Sequence, residues 1–127
     1  LQALDHYERL YREYEEFVSD GGPLDWCAHW RRWEWNSVSP CREEEIWERT
    51  RILAGRCNAL FILNPQFEAP YDGFRWLNKE NRAQQLRLMR GAAQEWRVES
   101  RTAEVKVSDL DQAKLEIQSV LDRILSR

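Results

Sequence analysis

Apolar positions along the chain change their period in a way that divides it into seven segments. Leu4, Tyr7, Leu10, Tyr11, Tyr14, Phe17 and Val18 recur at steps of three and four, the period of a helix with one apolar face, and predict a helix over about residues 2–19. Gly21-Gly22-Pro23 ends that helix and opens a second over about 24–35, since Pro suits a first helical turn. Trp26, Trp30 and Trp33 are spaced i, i+4, i+7 and share one face of it, while Trp35 points elsewhere. Ser39-Pro40 supplies a cap and a first-turn Pro, and Glu43, Glu44 and Glu45 lie near the positive end of the helix dipole. This third helix runs to about 56 with Ile46, Trp47, Thr50 and Leu53 inward.

The period breaks at Asn58. Ala59 to Leu63 is continuously apolar and bounded by Asn58 and Asn64-Pro65, which reads as a strand buried on both faces. A loop over 65–73, with Pro70 and Asp72-Gly73, leads to a helix from about Asn78 to Trp96 with Ala83, Leu86, Met89, Ala93 and Trp96 inward. Val105 and Val107 mark a second strand over about 103–107. Ser108-Asp109-Leu110-Asp111 is a helix start of the S-x-x-D type, and Leu110, Ala113, Ile117, Val120, Leu121 and Ile124 line one face of the last helix. The expected fold class is helix-rich α/β: three N-terminal helices followed by a β-α-β-α unit with a small parallel sheet. We expect one domain over 1–127, a helical part at 1–57 and the β-α-β-α part at 58–127. Two parallel strands leave two open edges, so the sheet must be covered by the leading helices or extended by further strands from elsewhere.

Composition narrows the classes. The 127 residues suit one core, and 43% hydrophobic with 32% charged residues excludes a disordered chain. The longest apolar run, Ala59 to Leu63, is far short of a membrane span, and residues 1–20 carry no apolar signal-peptide core, so a cytoplasmic location away from membranes is expected. The start at Leu1 rather than Met reads as a chain processed, trimmed or cut from something longer. A net charge of -3 argues against a nucleic-acid binder held by phosphate contacts. Cys27, Cys41 and Cys57 are an odd count; with His29 they lack the two tight ligand pairs of zinc modules, so three buried or half-buried thiols and no metal are expected.

Catalytic constellations are sparse. His6 and His29 are the only histidines, each on an amphipathic helix, and Glu15-Glu16 and Glu43-Glu44-Glu45 read as solvated helix ends. Gly21, Gly22, Gly55, Gly73 and Gly91 form neither a P-loop nor a G-x-G-x-x-G motif. Five of the seven Trp fall within 26–47, beside Arg31, Arg32 and Arg42, and the chain has 16 Arg against 3 Lys. Trp and Arg concentrate at binding hot spots, and Arg32, Trp33 and Trp35 are the candidate partner-binding residues.

The run Ala59 to Pro65, then Tyr71-Asp72-Gly73-Phe74-Arg75-Trp76, then a helix, a short strand and Ser108-Asp109-Leu110 opening a last helix, resembles the distal half of ribosylnicotinamide-kinase-like P-loop kinases. The resemblance spans 58–127 and implies that Asp72, Gly73 and Arg75 form a loop closing over nucleotide phosphates, with Arg75 as the clamp. The Walker lysine, the first strand and the metal-binding acid of that family have no counterpart here. Two functions follow as expectations. The favoured one is a non-catalytic protein-binding or assembly domain that uses no cofactor and docks another protein chain, in a complex or oligomer, through an aromatic and Arg-rich helical surface. The alternative is a nucleotide-binding phosphotransferase, or a fragment of one without its phosphate loop, using ATP and Mg.

Overall fold

A computed structural model describes residues 2–19, 21–33, 39–66 and 79–126. The order is α1 (Gln2–Glu13), α2 (Pro23–Trp33), α3 (Pro40–Arg56), β1 (Leu60–Pro65), α4 (Lys79–Glu95), β2 (Thr102–Val107) and α5 (Leu110–Leu125), with a 3-10 turn, Glu99–Arg101, leading into β2. The fold is therefore the expected helix-rich α/β arrangement, three helices ahead of a β-α-β-α unit.

Helix starts follow local chemistry. Gly21 takes φ 78°, a left-handed conformation that favours Gly, and the Gly22 N–H donates to Asp25 Oδ2 at 3.0 Å, tying the turn to the first residues of α2. Ser39 Oγ accepts from the Arg42 N–H at 3.4 Å ahead of Pro40. At α5 the cap is Asp109 rather than Ser108, its carboxylate accepting from the N–H groups of Asp111 and Gln112.

Helix ends depart more from expectation. α1 stops at Glu13, six residues before the end that the apolar period predicts, although Tyr14 still donates its N–H to Leu10. Continuing the helix would gather Glu13, Glu15 and Glu16 at the negative end of its dipole, an arrangement that costs free energy. The chain instead folds back, and Phe17 meets the Tyr11 ring edge-on at 4.8 Å.

α4 closes with a left-handed residue, Arg97 at φ 57°. The Val98 N–H donates to Ala93 and the Arg97 N–H to Gln94, at 3.0 and 3.1 Å, the paired bonds of a Schellman ending, whose left-handed position is usually glycine. Val98 is thereby driven into the core beside Ala93.

One core joins the helical part to the β-α-β-α part. Leu24, Cys27 and Ala28 of α2, Ala54 of α3, Leu60 and Ile62 of β1, and Leu86, Met89, Ala92 and Ala93 of α4 pack together with Trp96 and Val98. α2 lies along α4, and Ala28, Ala54 and Ala92 are essentially inaccessible. Ala83, expected inward, is exposed, because it precedes the stretch of α4 that meets this core.

β1 and β2 are parallel, with Leu60 beside Thr102, Ile62 beside Glu104 and Leu63 beside Val105. Alternation puts Leu60, Ile62 and Glu104 on the α4 side, where Arg90 Nε donates to Glu104 at 2.6 Å, and Phe61, Leu63 and Val105 on the other. A second, smaller cluster on that other side joins Val105, Val107 and Ala113 with half-buried Phe61 and Ile117. Arg101 donates from Nη1 to the Gly55 and Cys57 carbonyls at 3.0 and 3.2 Å, closing the end of α3 from the start of β2. Arg97→Gly removes the side chain that disfavours the left-handed region, and is expected to raise stability by about 0.5–1 kcal/mol in urea unfolding.

Candidate functional site

The aromatic residues of the helices are used first as joints. Tyr7 of α1 stacks on Trp26 of α2 with ring centres 3.9 Å apart, and Tyr11 meets the same indole edge-on at 6.3 Å. Trp47 of α3 lies 4.8 Å from Trp96 at the end of α4, and the Arg31 guanidinium of α2 sits 3.7 Å from the Trp47 ring centre, a cation–π contact. These rings bind α1 to α2 and α2 to α3 and α4. Charge adds a second clamp on α1, since the Arg49 guanidinium of α3 pairs with Asp5 and Glu8 and reaches Glu45 at 3.6 Å.

Of the residues marked by sequence, Arg32 lies half-buried in the last turn of α2, and Trp33 is the final residue of that helix. The Trp33 side chain, together with Trp35, Asp72, Gly73 and Arg75, lies outside the described residues. His6 and His29 are exposed, His6 taking a hydrogen bond from Arg9 at 3.1 Å. Among the described residues no group of His, Cys, Asp or Glu is arranged to hold a metal ion, and no helix is long and apolar enough to cross a membrane.

Apolar surface stays open on the side of the β pair away from α4. α5 lies over β2, and Ala113 is its only buried residue among those described. Ile117, Val120, Leu121 and Ile124 are half-buried, while Leu110 and Leu125 remain 67% and 65% exposed. Helical period sets Leu110, Ile117, Leu121 and Leu125 along one flank of α5. On β1, Leu63 is 52% exposed. This corrects the expectation of a strand covered on both faces: its neighbour Val105 is roofed by α5, and Leu63, one strand further out, is not. Leu63 and the α5 flank escape sequence reading because a continuous apolar run does not tell which of its residues a helix will cover.

The thiols divide by environment. Cys27 is buried and Cys57 half-buried, as expected, but Cys41 is exposed, because its place beside Pro40 in the first turn of α3 faces water. Burial pushes the Cys27 thiol up to about 12, with the nearby Arg31 opposing and Glu95 adding to the effect. Burial also raises Cys57, against the hydrogen bond from Tyr11 and the charge of Arg101, and raises Tyr11, whose hydroxyl lies 3.7 Å from Cys57 Sγ.

The helix-rich α/β chain matches no protein-family model, no curated protein and no solved structure.

An unfolded thiol titrates near pH 9 while folded Cys27 keeps its proton to about 12. Above 9 the unfolded state binds fewer protons than the folded one, so stability is unaffected by this group below pH 9 and falls steadily as pH rises from 9 towards 12. Tyr11 and Cys57 act in the same direction. Urea unfolding across pH 7–11 is the check, and Ellman's reagent at pH 8 is expected to modify Cys41 at once and Cys27 only on unfolding.

Proposed function

We propose that this chain is a non-catalytic assembly domain that docks another protein chain on the open side of its parallel strand pair. The observation that carries the reading is the exposed apolar surface of Leu63 on β1 and of Leu110 and Leu125 on α5. Covering a leucine side chain is worth roughly 1.5–3 kcal/mol, so this strip contributes to stability only when another surface closes it. A two-stranded parallel sheet also leaves backbone donors and acceptors on its outer edges, which a partner can engage. Trp26 and Trp47 hold helices together, and the Trp33 side chain and Trp35 lie outside the described residues, so the reading rests on the surface of β1 and α5.

A second copy of the chain fits the strip best. The first turn of α5 carries Asp111 next to the Asp109 cap and its last turn carries Arg123. An antiparallel copy sets one helix's acidic start against the other's basic end and opposes the two helix dipoles. Sedimentation velocity between about 5 and 200 µM is expected to show a concentration-dependent dimer, a range typical of modest interfaces. The doubly substituted L63D/L125D chain, altered only at exposed positions, is expected to remain monomeric with an unchanged circular dichroism spectrum. A wild-type chain that stays monomeric throughout, or a variant that dimerises equally well, removes the proposal.

A further inference from the structure

Helix α1 is fastened differently from the rest of the chain. Among the described residues, none of its side chains joins the core that unites α2, α3, β1 and α4. It is held instead by two stripes of its own helical period. The acidic stripe, Asp5 and Glu8, meets Arg49 of α3, whose Nε donates to Glu8 Oε2 at 3.2 Å and whose Nη2 donates to both carboxylates. The aromatic stripe, Tyr7 and Tyr11, lies against Trp26 of α2 and beside Cys57, the residue that closes α3. We propose that α1 is a strap that lifts from α3 while the remaining core stays folded, that the Arg49 ion pairs set how often it lifts, and that lifting uncovers Trp26 and the Cys57 thiol.

Two arginines of α3 concentrate the fastening. Arg49 and Arg56 are seven residues apart, which places them two turns apart on one face, about 10.5 Å along the helix axis. Arg49 holds the first half of α1 through Asp5 and Glu8, and Arg56 holds its last turn, donating from Nη2 to the Tyr11 carbonyl at 3.2 Å. The Arg49 guanidinium is steadied from its own helix by Glu45 at 3.6 Å. The side chains of Arg49, Glu8 and Asp5 are 21%, 29% and 65% exposed, so dissolved ions reach these pairs and weaken them.

With the pairs screened, α1 has little of its own to keep it in place. It is 12 residues long, and isolated helices shorter than about 12–15 residues are marginal in water. The helices beneath it stay joined through Ala28, Ala54, Ala92 and Ala93, so lifting is a local opening that costs less than unfolding. In the closed state the Tyr11 hydroxyl lies 3.7 Å from Cys57 Sγ, which turns to the Leu53 carbonyl at 3.5 Å. Once Tyr11 has left, the thiol meets water and gains the reactivity of an ordinary cysteine. The three cysteines therefore stand at three depths: Cys41 in water, Cys57 under the strap and Cys27 in the core.

The experiment follows the modification of each thiol by iodoacetamide at about pH 8, resolved by peptide mass spectrometry, in the wild-type chain, Arg49→Gln and Arg51→Gln. Arg51, which pairs with Glu48 on its own helix, is the control. Cys57 is expected to react more slowly than Cys41 and faster than Cys27, and about threefold faster in 1 M than in 0.05 M NaCl. Arg49→Gln is expected to speed Cys57 about tenfold and to flatten its salt dependence, with no such change in Arg51→Gln. Cys27 stays protected throughout, which shows that each chain is folded. Reaction of Cys57 in step with Cys27, a salt dependence that survives Arg49→Gln, or equal Cys57 rates in the two variants overturns the proposal. Should Arg49→Gln expose Cys27, the wild-type salt series decides, and a Cys57 rate indifferent to salt overturns the proposal. The surface of β1 and α5 takes no part in the strap, so the assembly reading is decided by its own test.

Discussion

The close approach of α2 and α4 is the contact on which the other parts rest. It is made by small side chains, Ala28 on one helix and Ala92 and Ala93 on the other, all essentially without access to solvent. Helix axes meet at 8–10 Å depending on the residues between them, and alanines permit the near end of that range. With the axes so close, large side chains are pushed to the margins of the seam. There Trp96 reaches Trp47 on α3, and Leu24, Leu86 and Met89 fill the space under β1. The strand pair thus receives its one complete cover from helices belonging to both parts of the chain.

The same seam explains the asymmetry of the sheet. Helices α2, α3 and α4 crowd against Leu60 and Ile62, while among the described residues the reverse face has α5 alone. Among the described residues α5 packs on β2, and the cluster beneath it takes in Phe61 of the neighbouring strand but not Leu63. Phe61 is long enough to reach under it, and Leu63 is not.

Elements whose signal is local were legible in the sequence. Pro40 behind Ser39, the period of α3 and α4, and the pairing of two short apolar strands around a helix all announce themselves within a few residues. Where the outcome depends on distant partners, the pattern misleads. Tyr14, Phe17 and Val18 keep the helical period but leave the helix, because the dipole penalty on Glu13, Glu15 and Glu16 and the ring contact with Tyr11 outweigh the propensity of fewer than two further turns. Among the described tryptophans Trp26 pairs with α1 and Trp47 with Trp96, and nothing near Trp26 in sequence says that Tyr7 will cover it. Arg97 gives no sign of a left-handed ending, which glycine would have marked. The open strip on β1 and α5 was invisible for a related reason, since it is defined by which helix lands on which strand.

Arg101 spans from the start of β2 to the last carbonyls of α3, more than forty positions earlier in the chain. The parallel pairing of β1 with β2 and the burial of Ala28 against Ala92 bridge similar stretches. During synthesis, α1, α2 and α3 emerge well before the residues that complete their interior, and a helical chain without its core partners has little to hold it. The strand ladder and the seat of α5 can therefore form only after β2 is available, so the last contacts of this mostly helical protein are non-local ones of the kind usually associated with sheets.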